Sequence, residues 1–124
     1  MDDAVVDALA TDRTVDITTT GRYTGEPRRI EIWQHPIGGR NYITGRPGSR
    51  GWYANVRAEP HFTFHLKDSA QADLPALAHP IIGVDERRVF FTEAFAQMRR
   101  DLGDRDRWIA DSPLIEVEFL VQDA

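Results

Sequence analysis

Between Arg22 and Arg57 the chain gathers seven arginines, Arg22, Arg28, Arg29, Arg40, Arg46, Arg50 and Arg57, against two carboxylates, Glu26 and Glu31. That stretch carries +5 in a protein whose net charge is −5, so the other residues carry −10. A local reversal of sign on this scale reads as a site for an anion. The guanidinium presents a planar fork of donors that matches phosphate and carboxylate oxygens. Glycines are interleaved with the arginines in GRYTGEPRR (21–29) and GRPGSRG (45–51), and they let backbone N–H groups approach the same oxygens.

Other chemistries find less support. The absence of cysteine excludes disulfides, thiolate-bound zinc, iron–sulfur centres and thiol nucleophiles. His61 and His65 stand at metal-ligand spacing for a helix, but HFTFHLK (61–67) alternates as a strand does and supplies no third ligand, so no metal is expected. His35 and His79 precede prolines and read as turn residues, and the carboxylates form no pair suited to acid–base work. There is no GxGxxG, Walker or HExxH motif. The overall negative charge argues against nucleic acid as a partner; a small barrel gripping single strands through the +5 stretch is the remaining alternative of that kind.

The elements that must position these residues follow from the hydrophobic periods. Val5, Val6 and Leu9 suit one face of a short opening helix, and Val15, Ile17 and Thr19 alternate as a strand. A turn at GRYTGEP leads to a second strand over about 28–35 with Ile30 and Ile32 on one face and Glu31 and Trp33 on the other. PIGG (36–39) turns into a third strand at 40–45. WYANVRAE (52–59) reads as a helix stopped by Pro60. In 61–67, Phe62, Phe64 and Leu66 share a packed face, leaving His61, Thr63, His65 and Lys67 on a free one. Residues 70–79 contain Pro75 and read as an edge strand or an irregular passage. Phe91, Phe95, Met98 and Leu102 recur at helical spacing over 85–102, a stripe suited to core packing, with Asp85 and Glu86 in the first turn. Trp108 extends the covering helices, and Ile115, Val117, Phe119 and Val121 mark a final strand over 114–121. Consecutive strands without alternating helices indicate a mainly β domain with α, of barrel or α+β type, and 124 residues fit a single domain spanning 1–124. The chain shows no apolar run of membrane-spanning length and no basic, hydrophobic leader, so a cytoplasmic setting without stable membrane insertion is expected.

TTTGRYTGEPRR (18–29), a tyrosine-bearing strand, a basic Gly-rich loop and WYANVRAEP (52–60) together resemble the deazaflavin-dependent nitroreductase family of the flavin and deazaflavin split-barrel oxidoreductases. The likeness runs from about residue 18 to residue 67, and the late helix and last strand keep the family's order. It implies a split β-barrel, FMN-binding-like, with a short N-terminal helix and helices before the last strand. It further implies a homodimer that uses reduced coenzyme F420 to pass a hydride to a small-molecule acceptor: a nitroaromatic, a quinone or an enone. FMN is the alternative cofactor, and an FMN-dependent reductase or a non-catalytic cofactor-binding protein the alternative functions.

By the same resemblance Arg22, Arg28 and Arg29 would hold the cofactor's phosphate and acidic tail, with Thr24 and Gly25 shaping the turn. Gly45 and Arg46 match a pair that usually presents serine and lysine to the deazaflavin, and Trp52 and Asn55 match a W-x-x-N segment with Tyr53 and Arg57 beside it. This chain departs from the pattern in a shorter loop between Gly45 and Trp52, a glycine at the serine position and no proline before the tryptophan. Arg46 and Arg50 flank backbone N–H groups of the Gly-rich loop and suit a phosphate or a reduced ring. Tyr42 and Tyr53 either orient an acceptor's carbonyl or nitro group or simply pack, and Trp52 either stacks on a ring or anchors its helix. No group identifies itself as a catalytic acid, base or nucleophile, as suits hydride transfer, which depends on stacking and orientation.

Overall fold

The computed structural model describes residues 1–98 and 103–120. Six strands close into a ring in the order β1-β2-β3-β6-β5-β4, with β4 returning to β1 and every neighbouring pair antiparallel. The strands are β1 (Thr14–Thr20), β2 (Pro27–Ile37), β3 (Arg40–Thr44), β4 (His61–Leu66), β5 (Ala72–Pro80) and β6 (Leu114–Phe119). Helix α1 (Asp3–Thr11) precedes the barrel, α2 (Gly51–Ala58) connects β3 to β4, and α3 (Val84–Met98) with α4 (Arg105–Asp111) lies between β5 and β6. The mainly β split barrel with a leading helix and helices before the last strand is as the sequence indicates.

Local chemistry accounts for the elements. Asp2 caps α1 by accepting from the Val5 N–H at 2.9 Å. In β1, Val15, Ile17 and Thr19 all point inward and are buried. The β2–β3 turn needs positive φ at Gly38 (60°) and Gly39 (78°), which glycine adopts without steric cost. The barrel core collects Val15, Ile17, Ile43, Phe62, Phe64, Leu66, Leu74 and Ile115, with Val5, Ala8 and Leu9 of α1 and Trp52 and Val56 of α2 packed on it. A second cluster, Phe90, Phe91, Ala94, Trp108, Ile109 and Leu114, joins α3 and α4 to the barrel.

Five expectations need correction. His35 and His79 are strand residues and not turn residues, His35 opposite Tyr42 and His79 opposite Glu116, because β2 and β5 run on through the prolines that follow them. Val6 is exposed and Ala8 takes its place on the buried face of α1, because the helical turn carries position 6 away from the side shared by positions 5, 8 and 9. His65 does not lie on a free face: it is buried, with Nε2 2.7 Å from Thr18 Oγ1 and Nδ1 2.6 Å from Asp73 Oδ1, because strands on both sides supply partners. Residues 72–80 form a regular strand paired on both sides. Pro75 is tolerated because it stands just outside the β6 ladder, which begins at Ala76: it has no N–H to leave unpaired, and its carbonyl accepts from Leu120 N–H at 2.9 Å while it stands opposite Thr63 of β4. The second strand is also longer than 28–35, with Pro36 paired opposite Asn41. Leu102 and Val121 lie outside the described residues.

The ring is not uniformly deep. β1 pairs with β2 from Pro27 to Trp33, whereas β3 meets β2 only at Gln34–Ile37. The first half of β2 therefore overhangs the barrel with one edge paired, and both its faces are exposed or half-buried.

Candidate functional site

The β1–β2 turn, the overhang of β2 and the first turn of α2 enclose a cleft of about 310 Å³ lined by Thr19, Gly21, Arg22, Tyr23, Thr24, Arg28, Ile30, Gly51, Trp52 and Asn55. The turn is held shut by its own backbone: Gly21 N–H donates to Glu26 O at 2.8 Å, Gly25 N–H donates to Gly21 O at 2.8 Å, and Glu26 N–H donates to Thr24 Oγ1 at 3.1 Å. A Cβ on Gly21 would come within 2.8 Å of Thr24 Oγ1 and 3.2 Å of Glu26 O, so this position accepts only glycine without a shift. Gly25 has φ of 71°, the left-handed conformation the turn requires.

Asn55 ties the turn to the helix. Its Oδ1 accepts from the Arg22 backbone N–H at 3.1 Å and from Arg22 Nη1 at 3.0 Å, and its Nδ2 donates to Thr19 Oγ1 at 3.1 Å. Arg22 Nη1 also reaches Gly51 O at 3.4 Å, and the guanidinium lies 4.7 Å from the centre of the Tyr23 ring. The arginine is thus aimed at the cleft by neutral partners and keeps its charge. No side chain caps α2 at Arg50, so the first N–H groups of that helix, which have no intrahelical acceptor, add a partial positive charge at the same place.

The period-2 alternation of β2 separates the adjacent arginines. Arg28 lines the cleft, while Arg29 is on the opposite face with Nε 3.0 Å from Asp16 Oδ2. Asp16 also binds Lys67 Nζ at 2.7 Å, and Lys67 pairs with Glu31. These two cations, Lys67 first, hold the Asp16 carboxyl below its usual value against a smaller opposing effect of burial.

On the far side of α2 lies a larger cavity of about 650 Å³, formed by the Gly-rich loop, α2, α4 and the segment leading into β6. Arg50, Tyr53 and Arg57 line it, joined by Arg87, Arg107 and Ser112, to which the sequence reading gave no role. Gly48 N–H donates to Asp111 O at 3.2 Å and fastens the loop to the end of α4. Gly45 packs against Pro113 and Arg50, while the exposed Arg46 lines neither cavity. Tyr42 faces a third cavity of about 730 Å³ with Arg40, Phe90 and Glu116; burial first, and then the Glu116 charge, raises its phenol above the usual value. The structure therefore gathers Arg22, Thr24, Arg28, Trp52 and Asn55 at one cleft and Arg50, Tyr53 and Arg57 at the next. It leaves Arg29 and Tyr42 elsewhere. Gly25 shapes the turn without lining either cavity.

Gly21 could have been found from the turn sequence, where it begins the loop that Gly25 closes. Arg87 could have been found from its spacing of four from Phe91, which puts it on the buried stripe of α3. Ser112 carried no signal in the sequence.

The class of this split barrel comes from the comparisons with known proteins. Residues 3–117 match the family model of the F420H2-dependent quinone reductases, and the chain belongs to that family. It is thus an F420-dependent oxidoreductase of small aromatic and quinone-type acceptors. Among solved structures it is similar to a conserved hypothetical protein from Mycobacterium tuberculosis (TM-score 0.73, 16% identity, 98% of this chain and 82% of that one). It is also similar to an F420-H2 dependent reductase (TM-score 0.59, 23% identity, 86% and 95%) and to a protein described as a domain-swapped dimer (TM-score 0.59, 21% identity, 86% and 81%). At these identities the likeness is one of fold. No curated protein matches the chain. Among the described residues no helix is long and apolar enough to cross a membrane.

Proposed function

We propose that the cleft between the β1–β2 turn and α2 holds the phosphate and acidic tail of coenzyme F420, through Arg22, Arg28 and the N–H groups that open α2. The observation that supports this reading is the Arg22–Asn55 tether, which points a cation with no carboxylate partner among the described residues into a cleft already lined by Arg28. The donor set fits the group: two guanidiniums, a helix N-terminus and the Thr24 hydroxyl suit a phosphodiester and carboxylates. Trp52 and Thr19 also line this cleft, and Arg50 lines the neighbouring cavity. When bound, reduced F420 supplies the hydride that reduces the acceptor. The chain's own part is to fix orientation, keep water from the reacting faces and supply positive charge where the acceptor's oxygen becomes negative. Nitroaromatics and enones share with quinones the need for that stabilisation and belong to the same acceptor range.

The reading includes one cytoplasmic cofactor-binding domain that works as a homodimer. Ile30 and Trp33, exposed on opposite faces of the β2 overhang, support a partner there. Light scattering tests this part and should give twice the 14.1 kDa of the chain.

Calorimetric titration with F420, and with FMN in parallel, tests the site. Arg22→Ala and Arg28→Ala should each weaken F420 binding by about tenfold or more, the loss expected for one charge-assisted contact. Arg29→Ala should change it little, because its guanidinium pairs with Asp16 on the other face. Unchanged affinity in both Arg22→Ala and Arg28→Ala would remove the assignment, and tighter binding of FMN than of F420 would transfer the cleft to a flavin.

A further inference from the structure

We propose that the larger cavity beyond α2 is the acceptor pocket and that it selects acceptors bearing a negative charge beside the reducible ring, such as quinone sulfonates, quinone carboxylates and ionised hydroxyquinones. The proposal rests on the reading of the neighbouring cleft as the cofactor's.

Three independent features of the cavity point to a charged aromatic ligand. First, its lining carries four arginines, Arg50, Arg57, Arg87 and Arg107, against the single carboxylate of Asp111, in a protein that is acidic overall. Arg50 comes from the loop before α2, Arg57 from its last turn and Arg107 from α4, so three separate elements converge. Behind them the buried Arg87 donates to the carbonyl oxygens of Ile81 (2.8 Å), Ile109 (2.6 Å), Trp108 (3.4 Å) and Ser112 (2.5 Å). Carbonyl dipoles satisfy its N–H groups without cancelling its unit charge, so the wall stays positive.

Second, Ser112 is 4% exposed and lines the cavity, yet among the described residues its Oγ is the one buried side-chain polar atom without a hydrogen-bond partner. Buried hydroxyls are ordinarily paired. A ligand oxygen in the cavity would complete the set. Third, the lining also carries an aromatic ring and apolar side chains: Tyr53, Ala54, Ile82, Ala110 and Pro113. Its volume of about 650 Å³ is of the size that accommodates small aromatic ligands. Arg57 lies 5.6 Å from the centre of the Tyr53 ring, which places charge next to a stacking surface.

The reaction this implies balances simply. The quinone takes a hydride from reduced F420 and a proton from solvent and becomes the hydroquinone, while the cofactor is oxidised. The arginines act twice, on the substituent's permanent charge and on the charge that grows on the quinone oxygen.

The test begins without cofactor. The protein is titrated with 1,4-naphthoquinone-2-sulfonate and with neutral menadione, as wild type and as Arg107→Gln, a rim variant outside the cores. The sulfonate should bind more tightly, its advantage should fall by about tenfold in Arg107→Gln, and the advantage should shrink in the wild type as salt rises to about 0.3 M. With reduced F420, the ratio of kcat/KM for the two quinones should fall in the same variant, mainly through KM. Equal binding of the two quinones, an advantage untouched by Arg107→Gln and by salt, or displacement of the sulfonate by F420 would each overturn the proposal. Selective sulfonate binding in a protein that fails to bind F420 would instead defeat the cofactor reading alone. Binding of F420 with indifferent reduction of both quinones would defeat only this one.

Discussion

Asn55 shows how one side chain can serve folding and ligand binding together. It is buried, and its amide spends its oxygen on Arg22 and a donor on Thr19, so the turn and the helix are joined through a single group. Asn55→Ala leaves the Arg22 N–H and Thr19 Oγ1 without these partners and should cost about 1–3 kcal/mol in urea melts. It should also weaken F420 binding, since Arg22 loses its aim. A variant that melts earlier but binds F420 unchanged would show that Asn55 serves the fold only. At this scale the sequence was partly readable. The cluster GRYTGEPRR drew attention to the turn that lines the cleft, and W-x-x-N to Asn55. What could not be read was which of two adjacent arginines faces the cleft. Alternation says that Arg28 and Arg29 diverge, but only pairing with β1, which sets Arg28 opposite the inward Thr19, says which one turns in. Ser112 was illegible for a different reason: its meaning lies in the absence of a partner, which is a property of packing.

The elements were more legible than their ends. Helical and alternating periods located five of the six strands and the helices seen among the described residues, because burial on one face writes the same period into sequence and structure. Pro75 obscured β5, since its tolerance depends on where a neighbouring ladder stops. Arg87 was hidden because an arginine on a helix ordinarily reads as surface. Here it is the link between α3 and α4, donating to the carbonyls at the end of α4 and to that of Ile81. Burial lowers its pKa, but each of its three nitrogens donates to a backbone carbonyl. Arg87→Met keeps the bulk against Phe91 yet strands those carbonyls, and it should destabilise the protein by about 2–4 kcal/mol. Loss of near-ultraviolet signal from Trp108 ahead of the far-ultraviolet signal of the barrel would be the accompanying observation, because the α3–α4 pair has its own hydrophobic cluster.

For the molecule as a whole, acid should be the sensitive variable. His35 is 4% exposed and stacks edge-on against Phe90, and burial, with a smaller push from the Arg13 charge, lowers its pKa from 6.5 to about 4. Above pH 6.5 the imidazole is neutral in both the folded and the unfolded chain and costs nothing. Between 6.5 and 4 only the unfolded chain takes up the proton, so stability falls as pH falls, by on the order of 3 kcal/mol across the window, and levels off below it as far as this group is concerned. The half-buried Asp16, whose pKa is lowered, adds its own loss only at still lower pH. Urea midpoints measured from pH 7.5 to 4.5 should show the decline, and His35→Leu should flatten it; an equally steep curve in that variant would place the acid sensitivity elsewhere. The overhang of β2 has a consequence of another kind. A strand with one open edge invites unrelated chains to add to it and grow into aggregates, yet here the edge starts at a proline and carries Arg28, Arg29 and Glu31 in succession. The charges proposed to hold an anion at the first hairpin also make it a poor template for another strand, so the overhang can present its cleft without becoming sticky.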